Sequence, residues 1–138
     1  MKYVFELLQD VQAKKTRAEK IAELKKHNDV WALKDILLGT FSDKYVFMLP
    51  KGEPPYTPCE GHNAPTNLRR VHKDFRFFIK GGPGDKMPNF KREQKFIGLI
   101  EGVHPEDAKL VISMINKQKP KGITEKIIEE AFPGLLAS

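Results

Sequence analysis

A basic turn near the C-terminal end of the chain contains residue types that bind phosphate. Lys117, Lys119 and Lys121 alternate with other residues, and Gly122-Ile123-Thr124 follow at the predicted start of a helix. Free N–H groups at a helix start, next to lysines, favour an anion. The same spacing also fits an ordinary capped and solvated connection between two helices. The turn is therefore a candidate phosphate site, and both interpretations stay open at this point.

Two further groups of basic residues lie elsewhere in the chain. Lys14, Lys15 and Arg17 occupy a predicted helix junction, and a second run follows one face of a predicted helix. The members of that run are Arg69, Arg70, Lys73 and Arg76. The formal net charge is +6 over 138 residues. Such a basic balance favours nucleic acid or another anionic partner.

Other kinds of site find little support in the sequence. The glycines of residues 80–86 follow a predicted helix, and Pro83 removes an N–H donor, so the segment does not fit a nucleotide-binding phosphate loop. Cys59 and His62 have a ligand-like spacing but no second pair of ligands, so we predict no metal site. Nothing marks a base beside a serine, threonine or cysteine. We predict a protein that is not an enzyme and needs no cofactor.

Helical periodicity dominates the chain and predicts an all-α fold. Apolar residues recur at helical spacing in about six to seven segments. Thr16, Pro105 and Thr124 are residue types that begin helices, and each stands directly before or at the start of such a segment. A length of 138 residues fits one hydrophobic core. We therefore predict a single compact multi-helix domain over residues 1–138.

Some segments carry more specific expectations. The third helix is expected to include Trp31 among its apolar residues and to end at Gly39. Tyr45–Leu49 is a short apolar stretch that fits either an extended segment or one helical turn. Residues 50–65 contain five prolines and are predicted to form a loop. Asn67–Lys80 is predicted to form one strong helix.

The sequence also bears on location. No run of residues approaches the roughly 18 to 20 apolar residues of a membrane span, so we predict no membrane partner. The N-terminal residues have no apolar signal core. Cys59 is the single cysteine, which excludes an internal disulfide and fits a reducing compartment. We expect a cytoplasmic protein, in the host cytoplasm if a phage encodes it.

The C-terminal residues resemble a known domain. Lys121-Gly122-Ile123-Thr124, followed by a short helix and Phe132-Pro133-Gly134-Leu135, resembles the end of the helical N-terminal DNA-binding domain of phage-type ATP-dependent DNA ligases. Three earlier segments resemble that domain in the same order. They are Leu24–Asn28 followed by Leu33–Ile36, then Phe41–Pro54, and then Glu106–Val111.

The chain is also similar to a family of small uncharacterised proteins of tailed phages, particularly those that infect cyanobacteria. The shared features are the Pro55–Pro58 loop, the Lys91-Arg92-Glu93 helix start and the Ala131-Phe132-Pro133 ending. This similarity implies a phage origin.

The ligase resemblance implies a fold and a function. It implies a DNA-ligase N-terminal-domain-like fold that holds double-stranded DNA through backbone phosphates, without reading sequence. The implied main contacts are Lys117, Lys119, Lys121, Gly122 and Thr124, and the second group is Arg69, Arg70 and Lys73. The adenylation motif Lys-x-Asp-Gly of these ligases is absent, so ligation is not implied.

The alternative is a protein–protein adaptor or inhibitor that binds a host or phage enzyme, for example of the replication or transcription machinery. Residues 54–65 or 132–136 would then be the docking segment.

Overall fold

Seven α-helices and two short 3-10 helices form the part of the chain that the computed structural model describes, residues 2–137. The α-helices are α1 (Val4–Gln12), α2 (Arg17–Lys26), α3 (Trp31–Phe41), α4 (Leu68–Val71), α5 (Asn89–Gly102), α6 (Pro105–Ile115) and α7 (Glu125–Ala131). The 3-10 helices span Gly61–Asn63 and His72–Phe78. These elements form one compact domain, and residues 2–137 contain no sheet. The prediction of an all-α fold is confirmed.

The core is built around α3, which packs on α1, α4 and α6. Every residue of α3 is buried except Trp31 and Asp35, as expected of a helix enclosed by others. α3 continues past Gly39 to Phe41, so the predicted end at Gly39 is wrong. A Cβ atom on Gly39 would lie only 2.7 Å from the sulfur of Met114 in α6. This glycine therefore allows two helices to approach closely.

The first turn of α3 exposes an aromatic residue and buries a lysine. Trp31 is 59% exposed, whereas Lys34 is 8% exposed. The Lys34 ammonium lies 4.3 Å from the centre of the Trp31 ring and 5.1 Å from that of Phe132. A lysine can bury its aliphatic stem here because its charge lies over two aromatic faces.

The predicted single helix over Asn67–Lys80 is wrong, because α4 stops at Val71 and a 3-10 helix follows. The buried residues of that 3-10 helix are His72, Phe75 and Phe78. Their spacing of three is the period of a 3-10 helix, in which residues i and i+3 share a face. Its end is held by Tyr45–Leu49, which is extended: Met48 N–H donates to the carbonyl of Phe78 at 2.7 Å.

The helix starts predicted at Thr16, Pro105 and Thr124 are confirmed. The Thr16 hydroxyl oxygen accepts the N–H of Glu19 at 3.2 Å, and Pro105 is the first residue of α6. α6 also holds the start of α1, because the buried Asp107 carboxylate accepts the N–H of Phe5 at 2.8 Å. Burial raises the pKa of Asp107 above its ordinary value.

Candidate nucleic-acid interface

The basic turn, residues 117–124, joins α6 to α7 through two left-handed positions. Lys117 has a φ of 56° and Gly122 a φ of 80°. Glycine adopts this backbone easily, whereas lysine is strained in it by about 1 kcal/mol. Lys119 and Lys121 lie between the two positions and are exposed. The backbone of the turn thus presents two lysines to solvent.

Gly122 and Thr124 have structural roles in this turn. The Thr124 hydroxyl oxygen accepts the N–H of Ile127 at 3.3 Å and caps α7. The Gly122 carbonyl accepts a hydrogen bond from the Lys20 ammonium at 2.8 Å. Both residues therefore shape the turn, and Gly122 also holds a lysine of α2 beside it.

The Lys117 side chain turns inward and contacts the end of α3. Its ammonium donates to the carbonyls of Gly39 at 2.5 Å and Ser42 at 2.9 Å, and it lies 5.2 Å from the centre of the Phe47 ring. Burial lowers the pKa of Lys117 below its ordinary value of 10.5. A cation here satisfies carbonyls at the C-terminal end of α3. Because burial and two carbonyl hydrogen bonds hold its ammonium against α3, we leave Lys117 out of the proposed interface.

The basic turn meets the junction between α1 and α2, about 100 residues earlier in the chain. The Gln12 side-chain amide donates to the Lys121 carbonyl at 2.9 Å, and Lys20 reaches Gly122 as described. The packing of α2 on α7 keeps the two segments together. We call the combined surface the basic corner. Its members are Lys14, Lys15, Arg17, Lys20, Lys119 and Lys121.

Acidic side chains neutralise only part of the basic corner. Arg17 pairs with Glu130 at 2.6 Å and Lys14 lies 3.7 Å from Glu23. The Lys119 ammonium lies 4.0 Å from Glu125, at the limit of an ion pair between exposed groups. Within residues 2–137, no carboxylate lies within ion-pair distance of the other three lysines. These are Lys15, Lys20 and Lys121.

The second predicted group does not join the basic corner. The Arg69 guanidinium donates to the Lys2 carbonyl at 3.1 Å, next to the start of α1. Gln12, which contacts the basic turn, lies at the other end of α1. The ends of α1, Val4 and Gln12, are about 12 Å apart at a rise of 1.5 Å per residue, so the two contacts lie at opposite ends of this helix. Arg70 and Lys73 are exposed and follow Arg69 along the chain.

A polar cleft of about 350 Å³ opens beside the basic turn, between α1 and α6. Leu8 and Leu110 supply apolar lining. Glu106 and Lys109, which pair with each other at 2.9 Å, are among its polar lining residues. The others are Gln9, Gln12, Thr40, Ser113, Gln118 and Lys119. Side-chain amides and hydroxyls of this kind donate to the phosphates and sugars of DNA. Because Glu106 is paired with Lys109, the cleft extends the basic corner mainly with uncharged hydrogen-bonding groups.

The structure also pairs two residues that the sequence pattern did not link. Asp35 of α3 lies 2.5 Å from the Nδ1 atom of His72, which is 9% exposed. Thirty-seven positions separate them in the chain. The available sequence signal was the three-residue spacing of His72, Phe75 and Phe78, which marks His72 as an inward-facing residue.

The predicted docking segments both pack on the rest of the molecule. In the loop, Thr57 N–H donates to a carboxylate oxygen of Glu101 at 2.7 Å, and the Cys59 thiol donates to the Val103 carbonyl at 3.0 Å. At the C-terminal end, Phe132 is buried, while Leu135 and Leu136 pack partly buried against the core. Neither segment presents a loose apolar peptide to a partner.

The chain belongs to the DUF6433 family, a family of unknown function, whose model matches residues 7–121. The matched range runs from within α1 through α6 and includes Lys119 and Lys121 of the basic turn. Comparison with curated proteins found no match. None of the helices in residues 2–137 is long and apolar enough to cross a membrane. Over the same residues, no three His, Cys, Asp or Glu side chains are grouped as a metal site would require.

Proposed function

We propose that this protein is a non-catalytic protein of phage origin that binds double-stranded DNA through its backbone phosphates. The carrying observation is the basic corner, where two basic segments about 100 residues apart in the chain form one surface. Exposed lysines attract phosphates as point charges and release the counterions that DNA has condensed. In this proposal Lys119, Lys121 and Lys20 make the main contacts.

The composition of the surface supports binding without sequence preference. Exposed lysine ammonium groups act on phosphates as point charges, and contacts to phosphate carry no sequence information. The amides of Gln9, Gln12 and Gln118 in the neighbouring cleft would add contacts to the DNA backbone. The resemblance of Lys121–Leu135 to the end of a ligase DNA-binding domain, which includes the basic turn, also supports the proposal.

Fluorescence anisotropy with a labelled DNA duplex tests the proposal. The variant is Lys119→Gln/Lys121→Gln, and its matched control is Lys86→Gln/Lys91→Gln, which removes two exposed lysines outside the basic corner. We expect the first variant to lower the slope of log affinity against log salt by about two, since each lost phosphate contact removes about 0.9. The control should keep nearly the wild-type slope.

Nicked duplex and single strand measured alongside define the preferred DNA structure. Tighter binding to the nick would indicate a role at repair or replication intermediates. If the protein does not bind duplex even at low salt, or if both variants lose binding equally, the proposal is wrong.

An adaptor or inhibitor that binds a host or phage enzyme is a second candidate function. The observation that favours it is the exposure of large apolar side chains, above all Trp31 and Phe90, each 59% exposed. Exposed aromatic residues are typical anchors of protein interfaces. Capture of a replication or transcription enzyme by the wild type, and its loss with Trp31→Ala or Phe90→Ala, would support this function.

A further inference from the structure

A second site lies away from the basic corner, in a small cavity between α3 and the 3-10 helix His72–Phe78. Its volume is about 170 Å³. The polar residues that line it are Asp35, Tyr45, His72, Lys73 and Arg76. Apolar side chains, among them Leu38 and Phe75, make up the rest of the wall. Three potential cations thus surround a space that is otherwise mainly apolar.

His72 is the buried member of this group. It is 9% exposed, and its Nδ1 atom lies 2.5 Å from a carboxylate oxygen of Asp35. That contact fixes the orientation of the ring and uses Nδ1 as the donor. Nε2 remains as the nitrogen for a ligand, since no group within residues 2–137 is hydrogen-bonded to it. When the ring is protonated, Nε2 becomes a hydrogen-bond donor to an anion.

Lys73 and Arg76 supply two more donors at the same cavity. Both are exposed, and within residues 2–137 neither has a carboxylate at ion-pair distance. Asp35 is the single acid that lines the cavity, and His72 already engages it. An oxyanion would therefore meet an ammonium, a guanidinium and an imidazole ring, which is a set of charge-assisted donors.

We propose that this cavity binds the phosphate group of a phosphate monoester and that binding requires protonated His72. The volume lies below the roughly 300 to 1,000 Å³ of sites that enclose whole small molecules, so it suits a phosphate head group. A monoester enters such a space because only one ester link has to lead out of it, whereas an internal phosphodiester of DNA has two. The ligand is thus a free phosphate ester or a terminal phosphate of a nucleic acid.

The first test is a titration with sulfate at constant ionic strength, in which binding is monitored through the NMR signals of the histidine side chains. We expect sulfate to shift the His72 ring resonances and to leave those of His27 and His62 nearly unchanged. The Lys73→Gln/Arg76→Gln variant should bind sulfate at least about tenfold more weakly, since it loses two charge-assisted hydrogen bonds. The control variant Lys80→Gln/Lys86→Gln changes two exposed lysines outside the cavity and should bind as the wild type does.

The second test changes the pH. Sulfate carries two negative charges throughout the range from about pH 5.5 to about pH 8. Any weakening of sulfate binding as the pH rises across this range therefore comes from the loss of protons by groups of the protein, and imidazoles are the side chains that ordinarily lose them there. The charged or titratable groups that face the ring are Asp35 from α3, Tyr45 from the extended segment, and Lys73 and Arg76 from the 3-10 helix. We expect the pH dependence to disappear in His72→Gln.

The source of the phosphate is distinguished with three probes. These are inorganic phosphate, a nucleoside 5′-monophosphate, and duplex DNA with a 5′-phosphate compared with the same duplex ending in a 5′-hydroxyl. Tighter binding of the phosphorylated end would assign the site to DNA termini, and binding of the free esters alone would assign it to a small metabolite. If sulfate leaves His72 unshifted, or if Lys73→Gln/Arg76→Gln binds it as tightly as wild type, the proposal is overturned. Lys119→Gln/Lys121→Gln should leave sulfate binding intact.

Discussion

The basic corner and the His72 cavity both offer positive charge, but they are built differently. The basic corner joins segments about 100 residues apart, and its lysines lie on the surface. Three of the polar residues that line the cavity come from one short 3-10 helix. One of them, His72, is only 9% exposed and contacts Asp35. One surface is broad and solvated, whereas the other is small and partly enclosed.

This difference in exposure predicts a difference in selectivity. Solvated lysines act through charge that salt screens, so they suit a long polyanion and discriminate little between sequences. Donors around a small cavity select an anion by its size and by the number of ester links that connect the anion to the rest of the ligand. Two sites of the same sign can therefore serve different ligands in one small domain.

The largest expected effect is the response of the two sites to salt. If the basic corner neutralises three phosphates, raising salt fourfold lowers duplex affinity by about fortyfold. Sulfate binding at the His72 cavity should fall less than about tenfold, because one small anion releases no condensed counterions. Anisotropy and NMR titrations on the same preparation measure both. Equal salt responses would show that the two surfaces do not differ in the way proposed.

A smaller effect is expected from Gly122→Ala. The substitution places a side chain at φ 80° and a Cβ atom 2.9 Å from the Lys20 ammonium. We expect a stability cost of about 1 kcal/mol from backbone strain and a two- to fivefold loss of duplex affinity from displacement of Lys20. Thermal or urea denaturation and anisotropy measure the two quantities.

Gly81→Ala is the matched control for that change. Gly81 has a φ of 87° and open space around its Cβ position. It should show a similar stability cost with unchanged duplex affinity. Should both alanine variants bind duplex equally well, the turn would not depend on Gly122 to place Lys20.

The smallest expected effect on duplex affinity separates Lys117 from the exposed lysines of the same turn. Lys117→Gln loses two hydrogen bonds to carbonyls of α3, so we expect it to cost about 1 to 2 kcal/mol of stability. Duplex affinity should change less than about twofold, in contrast to Lys119→Gln/Lys121→Gln. A large loss of duplex binding by a Lys117→Gln protein that remains folded would return Lys117 to the interface.

Lys117 also gives a pH dependence with a defined sign. Burial lowers the pKa of Lys117 in the folded protein below 10.5, so the unfolded chain holds this proton more tightly. The contribution of Lys117 to the free energy of unfolding therefore increases as the pH rises from the lowered pKa of the folded state towards 10.5. Denaturation of wild type and Lys117→Gln over this range should show the stability difference widening with pH. A difference that narrows would contradict the burial of the ammonium.

Much of the helical framework is readable from the sequence because its signals are local. Thr16, Pro105 and Thr124 begin helices through contacts within one turn, and the structure confirms each. Gly39 misleads because glycine also serves close helix packing, and the partner, Met114, lies far away in the chain.

The candidate sites were less predictable because their geometry depends on distant contacts. Spacing identifies Lys117, Lys119 and Lys121 as a basic turn, yet it cannot show that Lys117 turns inward to α3. The approach of Lys20 to Gly122 depends on the packing of α2 against α7. Long-range contacts of this kind leave no periodic signal in the sequence.

The most direct measurement is an NMR titration of the protein, with labelled backbone amides, against a short DNA duplex. The proposed interface predicts that the largest chemical-shift changes of backbone amides fall in residues 12–20 and 118–124. Residues 86–95, which include the control lysines Lys86 and Lys91, should change little. Shift changes confined to other parts of the molecule, or no changes at low salt, would contradict DNA binding by the basic corner.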